Sequence, residues 1–140
     1  VIPVGSFVKI PESSILAFHA LAYLASNPSR LVNIADIAEF LDGSEAHLAK
    51  VLQALRRQGY VNATRGPNGG YQLSMDPAQI TLLGVHQTLQ GHQPSQCCLL
   101  RKPKCSKGVC ALAYFAKNLD DEFLSFLSST NLDAFMSSSM

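Results

Sequence analysis

Between residues 33 and 74 the chain carries two helix-start signals separated by a tight turn, followed by a hairpin signal rich in glycine and proline. Few folds accommodate that order. Asn33 stands as an N-cap with Asp36 three residues on, and Ile34, Ile37, Ala38 and Leu41 fall on one helical face. Asp42-Gly43 closes this helix. Ser44 caps the next, whose Leu48, Val51, Leu52 and Leu55 recur at i, i+3, i+4 and i+7 before Gly59 stops it. Two short helices joined by a glycine-containing turn form a helix-turn-helix, whose second helix enters the DNA major groove; plain helical hairpins carry the same signal more often.

The segment after Gly59 shifts the balance. Tyr60 to Thr64 and Gly70 to Ser74 read as two short strands around Arg65-Gly66-Pro67-Asn68-Gly69, a tight β-turn. A hairpin directly after a helix-turn-helix is a wing. Arg65 at its tip is placed to reach a phosphate or a narrow minor groove, and N–H groups freed around Gly66, Asn68 and Gly69 can also meet phosphate. A nucleotide-phosphate loop is the competing reading, but no P-loop or dinucleotide fingerprint leads from a strand into a helix here. On the second helix Ser44, Glu45, His47 and Lys50 are early, outward positions; Lys50 can read guanine or touch phosphate, and Arg56 suits the DNA backbone.

The flanking segments are helical as well. Residues 12–26 form an amphipathic helix through Leu16, Ala20, Leu21 and Leu24, and Thr81 caps a helix running to Leu89. Cys110 to Ser128 is the longest predicted helix, with Leu112, Phe115, Leu119, Phe123, Phe126 and Leu127 forming a broad apolar stripe. A second copy of the helix would cover what one small core leaves bare, and a dimer matches two half-sites in DNA; packing within one chain is the alternative. From Asn131 the tail offers at most one helical turn, and residues 1–8 look like a leader. The expected fold is therefore mainly α with a small β-hairpin: a winged helix-turn-helix over 9–76, then a linker helix, cysteine loop and dimerisation helix over 77–140, in one compact domain.

Composition fits that size: 140 residues, 47% hydrophobic and 15% charged, suit one soluble domain. No apolar run approaches the roughly eighteen residues of a membrane helix, and the chain start lacks signal-peptide character, so no membrane partner and a cytoplasmic location are expected. Net charge is only +1, yet no acid falls between Glu45 and Asp76, a stretch holding Lys50, Arg56, Arg57 and Arg65. A basic middle suits a phosphate backbone, or simply a solvated face.

All four cysteines, Cys97, Cys98, Cys105 and Cys110, fall within fourteen positions, among Arg101, Lys102, Lys104 and Lys107. Soft ligands in a basic, turn-rich loop suit a metal or iron–sulfur site, and a reducing compartment disfavours a permanent disulfide. The spacing Cys98-x6-Cys105-x4-Cys110 lacks the tight knuckles of structural zinc sites. A redox thiol pair remains open. So does an enzyme with a Cys98 or Cys110 thiolate and His92 as base, although no oxyanion or pocket motif accompanies it.

In this order the parts resemble the Rrf2 family of bacterial winged-helix regulators, from Lys9 to Phe135. The resemblance rests on Asn33-Ile-Ala-Asp-Ile-Ala38, on Leu48 through Leu55-Arg-Arg-Gln-Gly-Tyr60-Val, and above all on Arg65-Gly-Pro-Asn-Gly-Gly-Tyr71. It implies a homodimeric transcription regulator that binds double-stranded operator DNA. By the same resemblance, Cys98, Cys105 and Cys110 hold an iron–sulfur cluster, 2Fe–2S in the first instance and 4Fe–4S in the second, whose state controls DNA affinity. The family also includes clusterless members, which keeps a thiol–disulfide regulator as the alternative.

Departures from the family pattern concern the ligands. The usual spacing is near C-x5-C-x5-C, Ala113 stands at the histidine-ligand position of IscR-type proteins, and Ile15 at the acidic-ligand position of NsrR-type proteins. The fourth ligand is open: Cys97 and His92 rank first, followed by Glu12 and His19. His47 replaces a common tyrosine and Ala49 a glutamate tied to operator discrimination in the IscR type, so a different operator is expected.

Overall fold

A computed structural model describes residues 10–91 and 110–138. Its elements are α1 (Glu12–Ala25), α2 (Ile34–Leu41), α3 (Glu45–Arg57), β1 (Val61–Thr64), β2 (Gly70–Leu73), α4 (Leu82–Gln90), α5 (Ala111–Ser129) and α6 (Leu132–Ser138), with a 3-10 turn at Pro77–Gln79 before α4.

The expected caps close the helices. Asn33 accepts from the Asp36 N–H at 2.8 Å, Ser44 from His47 at 3.3 Å and Thr81 from Gly84 at 3.1 Å. Each satisfies a backbone donor that the helix start leaves unpaired. Between α2 and α3 it is Asp42, with φ of 51°, that takes the left-handed conformation ending α2.

One hydrophobic core runs through the described residues. Ala17, Ala20, Leu21 and Leu24 of α1 form its centre, and the alanines let α2, α3 and α4 approach closely. Ile37 and Ala38 of α2 and Leu48, Val51, Leu52 and Leu55 of α3 complete the helix-turn-helix half. Ile80, Leu82, Val85, Leu127 and Leu132 continue the core toward the C-terminal helices.

β1 and β2 pair antiparallel, Val61 opposite Leu73 and Thr64 opposite Gly70. The glycines of the turn are sterically required. A Cβ on Gly69 would fall on the Thr64 carbonyl; one on Gly70, whose φ is +156°, would sit 2.6 Å from the Val32 carbonyl oxygen. That close approach lets Tyr71 and Val32 exchange backbone hydrogen bonds, so the hairpin is stitched to the segment before α2.

α5 is anchored mainly at its carboxyl end. Leu127 is buried there, the Leu82 N–H donates to the Thr130 carbonyl at 3.0 Å, and the Leu132 N–H donates to the Ile80 carbonyl at 2.8 Å. Beyond it the chain departs from expectation: α6 has seven residues rather than one turn at most. Asn131 caps it by accepting from the Ala134 N–H at 2.8 Å, and Leu132, Phe135 and Met136 pack on the core, which stabilises a helix too short to hold alone. No helix among the described residues is long and apolar enough to cross a membrane.

Candidate nucleic-acid interface

With Leu48, Val51, Leu52 and Leu55 turned into the core, the opposite side of α3 is fixed by its 3.6-residue period. Ala46, Lys50, Gln53 and Arg57 form that outward stripe, and all four are exposed. Ser44 and Glu45 are exposed at its amino end, while His47 and Arg56 lie on its two flanks. Gln53 and Arg57 were not singled out as outward by sequence reasoning; taking the buried stripe as a reference direction would have found them. Gln53 carries the paired donor and acceptor that match an adenine edge.

His47 is half-buried, and its Nδ1 lies 4.0 Å from the Glu12 carboxylate of α1. Among the described residues the other ion pair is Lys117–Asp121, at 2.8 Å within α5. Lys50, Arg56, Arg57 and Arg65 thus have no carboxylate partner among those residues, and their charge is open to phosphate.

At the hairpin tip Arg65, Gly66, Pro67 and Asn68 are exposed, and the Gly69 N–H donates to the Gly66 carbonyl at 3.0 Å. α3 is a helix sized for a major groove, and the hairpin whose first strand packs against it ends in a basic tip.

Of the residues named as cluster ligands, Cys97, Cys98, Cys105 and His92 lie outside the described residues. Cys110 lies within them. It is a free, half-buried thiol at the N-cap of α5, making no side-chain capping bond, and its backbone carbonyl accepts from the Tyr114 N–H at 2.9 Å. Its position is the amino end of a 19-residue helix, next to the cysteine-rich segment. Three thiols of this donor set fit iron–sulfur chemistry.

The α1 candidates for the fourth ligand have partners in their own chain. Glu12 is the group beside His47. His19 hydrogen-bonds through Nδ1 to the Ile15 carbonyl at 2.8 Å, and its ring meets Phe135 edge-on at 5.4 Å, binding α1 to α6.

On α5, Leu112 (65%), Phe115 (60%) and Phe126 (56%) are exposed, as is Leu119. Phe123 lies differently: it is half-buried, with its ring perpendicular to that of His86 at 5.7 Å. His86 in turn shares a 2.9 Å hydrogen bond with Ser14 of α1, and burial lowers its pKa below the ordinary imidazole value.

This architecture has relatives. The sequence profile of the Rrf2 family, described as iron-dependent transcriptional regulator, matches residues 11–138. A putative HTH-type transcriptional regulator of Aquifex aeolicus is 32% identical over 119 residues, covering 83% of each chain. The chain spans about half the length of other curated relatives it matches, such as one 41% identical over 78 residues. Among solved structures, the fold is similar to CymR, the global cysteine regulator of B. subtilis, with TM-score 0.75, 24% identity and coverage of 96% and 100% of the two chains. It is likewise similar to T. potens IscR, with TM-score 0.74, 20% identity and coverage of 96% and 90%.

Proposed function

Because the chain belongs to the Rrf2 family of transcriptional regulators, we propose that it is a homodimeric operator-binding regulator whose DNA affinity follows the state of an iron–sulfur cluster. The observation that carries the DNA half is the outward stripe of α3, whose basic side chains have no acidic partner among the described residues, standing beside the Arg65 hairpin.

In this reading the amino-terminal half of α3 enters the major groove. Ser44, Glu45, His47, Lys50 and Gln53 meet base edges, while Arg56 and Arg57 meet phosphates. Arg65 reaches the minor groove or its phosphates, with backbone donors of Gly66 and Asn68 beside it, while the Gly69 N–H closes the turn on the Gly66 carbonyl. Leu112, Phe115, Leu119 and Phe126 supply the dimer face: apolar side chains this exposed along one helix lose contact with water when a second α5 packs on them. Phe123 sits at its inner edge.

Cys98, Cys105 and Cys110 would hold the cluster, with Cys97 or His92 completing it. When bound, the cluster supplies an iron centre reactive toward oxidants and nitric oxide. Cys110 connects that site to the rest of the molecule, since it also occupies the position at which the dimer helix begins.

Anaerobic purification with iron and sulfide analysis tests this part directly. Visible charge-transfer absorption with bound iron and sulfide is expected. A colourless, metal-free protein with DNA-binding activity would overturn the cluster and leave the thiol–disulfide reading of the same fold.

A further inference from the structure

α5 touches the DNA-binding head chiefly through α4, and it does so at two levels. At its carboxyl end backbone hydrogen bonds link Leu82 to Thr130 and Leu132 to Ile80, and Thr81 bridges Asn131. Seven residues before Thr130, Phe123 meets the His86 ring edge-on.

His86 is itself held from the far side. Ser14 of α1 is 0% exposed, and its hydroxyl shares the 2.9 Å bond with Nδ1 of that ring. Gln90, one turn further along α4, donates to Ser13 at 2.7 Å and to Ser14 at 3.4 Å. An apolar side chain would fill this junction of three helices equally well. A ring hydrogen-bonded at one nitrogen has a single orientation, and so presents a fixed edge to Phe123.

The geometry is that of a lever. With a rise of about 1.5 Å per residue, Phe123 stands about 10 Å from the pivot at Thr130, and Ala111 about 28 Å. A shift of about 1 Å at the His86–Phe123 contact therefore becomes about 2.7 Å at the far end of α5, close to the roughly 3.4 Å rise of one base pair. Ser14 lies on the helix that packs directly on α3, so the contact relates the dimer helix to the recognition helix.

We propose that His86 is a positioning residue for operator recognition: clamped by Ser14 and met by Phe123, it sets the angle at which α5 leaves the head, and with it the separation of the two recognition helices in the dimer. This rests on the homodimeric reading above.

The test uses the full chain and a DNA duplex selected by the wild-type protein from a random-sequence pool. Versions of that duplex have the spacer between half-sites lengthened or shortened by one or two base pairs. His86→Ala should remain dimeric and bind a random-sequence duplex as the wild type does. It should lose roughly tenfold on the selected duplex and accept altered spacers with less discrimination. Ser14→Ala, which frees the ring without removing it, should move the same way by less. A dimeric His86→Ala protein with the wild-type affinity at every spacing overturns the proposal. Where His86→Ala fails to fold, His86→Gln, which retains a bond to Ser14 but presents no ring to Phe123, carries the same test with the same two outcomes. A wild-type chain that sediments as a monomer overturns the dimer reading itself, and this proposal with it.

Discussion

Val32 and Tyr71 exchange two backbone hydrogen bonds, at 2.9 and 2.8 Å, across a gap that only a glycine at position 70 leaves open. The wing is therefore no free hairpin. It is held to the strand-like segment that precedes α2, while its first strand packs against α3.

Gly70→Ala should break this arrangement. The added methyl meets the Val32 carbonyl at 2.6 Å in a backbone conformation that L side chains rarely adopt, so a loss of about 1–3 kcal/mol is expected. Urea unfolding checks the stability. Operator binding should fall further than stability alone explains, because the wing is displaced.

Arg65→Ala should weaken binding by a similar factor on every DNA sequence, and the slope of log affinity against log salt should drop by about 1. Fluorescence anisotropy on a selected and a scrambled duplex across a salt series measures both. An unchanged slope would remove Arg65 from the phosphate contacts.

Lys50 and Gln53 act differently. Replacing either with alanine should relax preference at one base pair of each half-site by about 1–3 kcal/mol, with little change on non-specific DNA. Affinities for a panel of single-base operator variants read this out, and a uniform loss across the panel would place these side chains on the backbone instead.

Much of this was legible before any coordinates. Asn33, Ser44 and Thr81 are local signals, since a cap acts within one turn of its own helix, and the glycines after Arg65 announce a turn by their number and order. What escaped depends on distant partners. α6 is held by Leu132 and Phe135 against a core laid down earlier in the chain. Phe123 shares the apolar period of Leu112, Phe115 and Phe126, so periodicity alone does not distinguish the residue facing His86 from those facing outward. Gln53 and Arg57 came into view only once the buried side of α3 gave a direction. The cysteines were the most visible feature of the chain, and of them only Cys110 falls among the described residues.

His86 gives the fold a pH dependence of definite sign. Burial lowers its pKa from the ordinary 6.5, so the folded chain resists protonation more than the unfolded one. Its neutral form supports the fold fully above about pH 6.5, and that support declines as pH falls below it toward the lowered folded value. Urea midpoints at pH 5.5 and 7.5 should differ more in the wild type than in His86→Gln. Equal differences would show that His86 does not contribute.

The most direct measurement compares operator affinity with and without the cluster. Protein purified anaerobically and the same preparation stripped by a chelator are titrated onto one selected duplex at fixed salt, with dimerisation verified in both. A difference of about tenfold or more, equivalent to about 1.4 kcal/mol of coupling, is expected. Equal affinities would contradict control of DNA binding by the cluster.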